Sequence, residues 1–145
     1  MAGSITSADA VVTLWQPILF PTPLQLQQFA VDDIYDTDQI RNVEAQMGVD
    51  GTLSFGFVYA PIMQNFALQA NSPSIAAFFD PIYAQQILGK TVYPISGTIA
   101  LPSLGKKWAM TNGAMTDYKP MPDAKRVLQM QRFRVTWNQV LPSPL

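Results

Sequence analysis

The sequence predicts a mainly β protein: an antiparallel β-sandwich or β-barrel subunit with one flanking α-helix. Three observations predict it. Short segments in which apolar and polar residues alternate recur along the 145 residues, separated by turn signals. Twelve prolines and eight glycines are scattered throughout, which excludes an all-helical bundle. One stretch alone, from Ser72, has helical apolar spacing. The length suits a single domain, 1–145, able to bury about 70% of the surface its unfolded chain exposes.

Taken in order, residues 1–9 read as a flexible arm, and Ala10 to Trp15 as a first strand rich in Val, Thr and Trp. Pro17, Pro21 and Pro23 impose an extended, poorly hydrogen-bonded passage before a short strand from Leu24 to Phe29. Val31 to Asp38 is an acidic loop. Its four carboxylates lack the glycine and terminal Glu of an EF-hand, so a solvated or interface loop is expected rather than a calcium site. Val43 to Val49 and Leu53 to Phe57 alternate around Asp50-Gly51, a favoured type I′ hairpin turn. After Pro61, Ile62 to Gln69 forms a third strand of what reads as an antiparallel meander. Its apolar side, Val43, Met47, Leu53, Phe55, Phe57, Phe66 and Leu68, is expected in the sandwich core.

The helix starts at Ser72 as N-cap with Pro73 in the first position, and buries Ile75, Phe78, Phe79 and Ile82. Pro81 predicts a kink or two short helices re-capped at Asp80, and Gly89 ends the element beside Lys90. Strands are then expected at Thr91 to Leu101, Lys107 to Lys119 (broken at Asn112-Gly113) and Lys125 to Val140.

Composition narrows the function. The chain has no His and no Cys, which excludes Ser-His and Cys-His nucleophile systems, thiolate or imidazole metal sites and disulfides. Asp32-Asp33 and Lys106-Lys107 lack the spacing of an acid–base or nucleophile site, and Gly48-Val49-Asp50-Gly51 has no phosphate-loop context. No enzyme activity and no cofactor are expected. No secretory leader or membrane-inserting segment is expected either. Charged residues are only 13% against about 25% in average soluble proteins, and 13 Gln supply neutral polarity. Residues 1–80 carry −7 and residues 81–145 carry +6. Such polarity fits either pairing within the chain or an acidic edge of one copy meeting the basic edge of another.

The chain resembles the tail tube proteins of contractile-tailed bacteriophages. The resemblance rests on Ser7 to Leu14, Phe20 to Asp33, Met47 to Ser54, Leu68 to Ile75 and Pro122 to Leu128, in that order and at those intervals. Gln28 departs from the pattern, where glycine is expected. The resemblance implies a structural virion protein, synthesised in the host cytoplasm and placed in the phage tail. Its copies would form six-membered rings that stack into a hollow tube, with strands of neighbouring copies completing a barrel around the lumen. Implied partners are further copies, tail sheath, baseplate and tape-measure proteins, with DNA only in transit. The inner tube of a bacterial contractile injection or secretion machine is the near alternative. A monomeric β-barrel binding an apolar ligand is the distant one.

Two residue sets follow. Asp32, Asp33, Asp36 and Asp38, with Lys106, Lys107, Lys125 and Arg126, are the candidate contacts between copies. Glu44, Gln46, Thr52, Ser54, Asn65 and Gln69 have no base among them and are the candidate lumen wall, since fixed bases there would hold phosphates.

Overall fold

A computed structural model describes residues 10–27, 29 and 34–144; the expected arm at 1–9 and Asp32 and Asp33 lie outside them. The described fold is mostly β, all pairings antiparallel, with one helical segment. Strands run β1 Val11–Gln16, β2 Phe20–Gln25, β3 Tyr35–Thr37, β4 Val43–Met47, β5 Leu53–Phe57 and β6 Ile62–Leu68. A helical turn at Ile75–Phe79 leads into α1, Asp80–Gly89. The chain closes with β7 Ile95–Leu101, β8 Lys106–Tyr118, β9 Gln131–Trp137 and β10 Gln139–Pro144.

β8 belongs to two ladders. Its first half lies between β7 and β10 in the order β2-β1-β7-β8-β10, and its second half pairs β9 in the order β3-β6-β9-β8. The change of partner occurs at Asn112-Gly113, the break read from the sequence. Asn112 has φ 51°, and the pairing with β7 slips between Ile95 and Gly97. The core lies between the two layers and under the helix. Val12, Leu14, Phe66, Leu68, Ile95, Ile99, Met110, Phe133, Val135 and Trp137 are buried there, joined by Ile75, Phe78, Phe79 and Ile82 as expected. Phe79 stacks on Phe133 with centroids 4.3 Å apart.

The helix accommodates Pro81 without the expected re-capping at Asp80: Phe79 and Asp80 keep helical backbone angles and no side chain caps the junction. The Asp80 N–H reaches the Ile75 carbonyl, a wide i→i+5 turn, and α1 restarts with Pro81 in its first turn, where a missing N–H costs least. Ser72 precedes the helix, accepting the Ser74 N–H at 3.3 Å while donating to the Gln27 carbonyl at 2.5 Å. The left-handed closing residue is Lys90 (φ 51°) rather than Gly89, which stays helical.

Four expectations are corrected. The proline passage is itself β2, an edge strand on β1, because only an edge tolerates prolines that cannot donate to a second neighbour. β4 and β5 form a separate two-stranded ribbon, and β6 pairs β3 and β9 instead, so there is no three-stranded meander. Hence Val43, Met47, Leu53, Phe55 and Phe57 are exposed, while Phe66 and Leu68 are buried. The Asp50-Gly51 turn is not type I′: only Gly51 has positive φ. The Gly51 N–H returns to Gly48, and Val49-Asp50-Gly51 forms the longer loop with a left-handed glycine. Finally, Lys125 to Met130 is irregular, and Val127 and Leu128 are exposed; the strand starts only at Gln131.

Candidate assembly surfaces

The β4–β5 ribbon is the most unusual surface. Its register sets Val43 opposite Phe57, Ala45 opposite Phe55 and Met47 opposite Leu53, which stacks the apolar side chains on one face. Glu44 and Gly56, and Gln46 and Ser54, pair on the other. Among the described residues no layer covers the apolar face: Met47 is 65% exposed, Phe55 68% and Phe57 66%. Phe57 meets Tyr59 edge to face at 5.1 Å. An isolated two-stranded hairpin is marginal in water, and contiguous exposed apolar surface of this kind marks an interaction site. Fully covering one such side chain is worth roughly 1.5–3 kcal/mol. At the ribbon's root, Phe57, Tyr59, Ile62, Trp137, Val140 and Leu141 help line an open cleft of about 710 Å³.

The candidate lumen residues do not share one face. Glu44, Gln46 and Ser54 lie on the ribbon's polar side and Thr52 in its loop; Asn65 is on β6 and Gln69 just past it. Asn65 is engaged on both sides, donating to Asp36 Oδ1 at 2.6 Å and accepting from Arg134 Nε at 3.0 Å. Arg134 also pairs with Asp117 at 3.4 Å. Gln69 donates to the Phe29 carbonyl at 3.0 Å.

The candidate contact residues are dispersed. Asp36 is in β3, and the Asp38 N–H continues that ladder to the Met63 carbonyl. Lys106 and Lys107 open β8, while Lys125 and Arg126 sit in the connection before β9. All six are exposed, and no ion pair among the described residues joins them. An exposed pair contributes roughly 0–1 kcal/mol. By that measure, the apolar ribbon outweighs the charges as a source of contact energy.

Two buried glutamines act inside the fold. Gln16 Oε1 accepts the Ile18 and Leu19 N–H groups at 2.8 and 2.5 Å, and Nε2 donates to the Pro94 carbonyl at 3.1 Å. Gln64 accepts Trp137 Nε1 at 2.9 Å and donates to Thr37 at 3.2 Å. These are structural struts. The signal that could find them is position: each lies at a core-facing place in its strand. Among the described residues no three carboxylates gather into a metal-binding group, and no helix is long and apolar enough to cross a membrane.

A family model described as Tail fiber protein gp32 matches residues 3–141. The chain belongs to that family. This family member also shares its fold with chains of contractile particles. One is from the sheath–tube complex of the extracellular contractile injection system PVC in its extended state: TM-score 0.65, 16% identity, 98% of this chain and 93% of that one. Another is from the tube-terminating cap of the anti-feeding prophage: TM-score 0.62, 13% identity, 98% and 92% covered. A third, from the six-fold symmetrised baseplate of the anti-feeding prophage, gives TM-score 0.57, 9% identity, 99% and 98% covered. No curated protein matches the chain. The family is of the tail kind, and the expected resemblance to tail tube proteins is met at the level of fold.

Proposed function

We propose that the chain is the inner-tube subunit of a contractile-tail particle, a structural rather than catalytic protein. Copies form homo-oligomeric rings, six-membered by the resemblance, that stack into a conduit for DNA within a virion. Sheath, baseplate and tape-measure proteins are its further partners. The observation that carries this reading is the uncovered amphipathic ribbon on an otherwise well-packed two-layer body. A soluble monomer has no use for that face, whereas a self-assembling subunit covers it with the next copy. The likeness in fold to chains of the PVC and anti-feeding prophage particles supports a tube-forming role. It also favours a second reading, the inner tube of an injection machine. Neighbouring genes separate the two: capsid and terminase for a phage, effectors for an injection machine.

The test is negative-stain microscopy and sedimentation of the purified full chain over a wide concentration range. Rings or tubes with a stain-filled lumen are expected. A species that remains at 16.0 kDa throughout would falsify the reading. Solid filaments without a lumen would point instead to the fibre of the family's description.

A further inference from the structure

We infer that Met47 is a modification site at which peroxide oxidation controls entry into the tube, an inference that rests on the tube reading. Among the described residues it is the one sulfur on the ribbon's apolar face. Register sets Met47 opposite Leu53 and diagonal to Phe55, and it is 65% exposed. The chain has no cysteine, so its thioethers are the groups a peroxide attacks first. Hydrogen peroxide transfers one oxygen atom to the sulfur, which is oxidised by two electrons. The O–O bond breaks, an S–O bond forms, and the second oxygen leaves as water with both protons.

The other described methionines separate by burial and place. Met110 and Met115 lie in the core, and Met63 is half-buried with its sulfur 3.9 Å from Arg134 Nη1. Met121 and Met130 are exposed, but they belong to the connection between β8 and β9, at the opposite end of β9 from the ribbon's root. Met47 is therefore the exposed sulfur that the tube reading covers with the next copy. A sulfoxide oxygen is a strong hydrogen-bond acceptor. In the free subunit water satisfies it, and the core is untouched because Met47 does not pack there. Around it on a covered face stand Ala45, Leu53 and Phe55, whose side chains offer no donor. An acceptor buried without a donor opposes association. Oxidation thus withdraws subunits from assembly without unfolding them. Thiol-dependent sulfoxide reduction, which removes the oxygen as water while two thiols become a disulfide, returns them. In a finished tube the covered sulfur is out of reach, so the control acts on the unassembled pool.

The test treats the full chain with graded hydrogen peroxide, reads each sulfoxide by peptide mass, and measures sedimentable assemblies after the peroxide is removed. Wild type should lose assembly in proportion to Met47 sulfoxide, with its thermal unfolding unchanged, and regain it after treatment with methionine sulfoxide reductases and dithiothreitol. Met47→Leu should assemble after the same dose, Met121→Leu should remain sensitive, and Met47→Gln should assemble poorly with no oxidant at all. In preformed tubes Met47 should oxidise far more slowly than in free subunits. Undiminished assembly of wild type carrying Met47 fully as sulfoxide overturns the inference. So does Met47→Leu losing assembly as wild type does, or Met47 oxidising equally fast in tubes and free subunits. An untreated wild-type chain that never assembles instead overturns the tube reading, and this inference with it.

Discussion

Gly113 shows how a single residue can fix a strand's course. A Cβ there would lie 2.3 Å from Trp137 Cε3, so the indole of β9 occupies the space where any other side chain would begin. Gly97 is equally confined, its Cβ position 2.5 Å from Leu14 Cδ2 and 2.8 Å from the Thr13 carbonyl. Gly97→Ala and Gly113→Ala should each destabilise the fold by about 1–3 kcal/mol, the usual cost of overpacking, read as a fall in the urea midpoint. Lys90 is the opposite case: it takes a left-handed backbone that glycine adopts freely, so Lys90→Gly should stabilise by up to about 1 kcal/mol. The sequence marks Asn112-Gly113 as a break, because that dipeptide favours turns. It cannot show that Trp137, 24 residues on, is the reason for glycine. Buried Gln16, Gln64 and Gln131 were illegible for a related cause: their partners are backbone and side-chain groups brought close only by the fold.

Elements were more legible than their neighbours. Alternation reveals which residues of a strand share a face, and it located β1, β4, β5, β6 and most of β8 and β9. It says nothing of what lies opposite. β6 follows the ribbon in sequence but pairs β9, whose residues are about 70 positions later, and so the ribbon is left uncovered among the described residues. The same alternation that suggested core therefore marks contact surface. Phe55→Ser with Phe57→Ser should leave the monomer's thermal unfolding nearly unchanged, because neither side chain packs in the core, while abolishing sedimentable assemblies. Retained assembly would show that the ribbon is not the contact. The ribbon's loop should also respond to acid. Asp50 is held below the ordinary aspartate range by hydrogen bonds from Thr52. A lowered native pKa means that the carboxylate's contribution is present above about pH 4 and is lost as pH falls through the lowered value. The amide signals of Gly51 and Thr52 in the assembly-deficient variant should shift toward random coil on acidification, and in Asp50→Ala they should do so at neutral pH.

At the scale of the whole molecule, the opposed charges of the two halves act as a bias rather than as glue. Reversing Lys106, Lys107, Lys125 and Arg126 to Glu should slow assembly at low salt, and the difference should shrink once the screening length falls to about 8 Å near physiological ionic strength. Light scattering across a salt series checks this, and an equal deficit at high salt would refute an electrostatic origin. The proline-bearing edges have a further consequence. β2 carries Pro21 and Pro23, and β10 carries Pro142 and Pro144, at alternate positions on the two borders of one sheet. Leu26 donates to Val12, so Leu24 and Leu26 face β1 and Pro23 faces the free border, where it has no N–H to offer. A subunit produced in many copies must wait, crowded among its own kind, before it is incorporated. Blunted borders keep that waiting pool out of amyloid-like kinetic traps, leaving productive growth as the accessible route. Replacing Pro23 and Pro142 with Thr should shorten the lag before thioflavin-positive aggregates form, at the expense of the soluble pool.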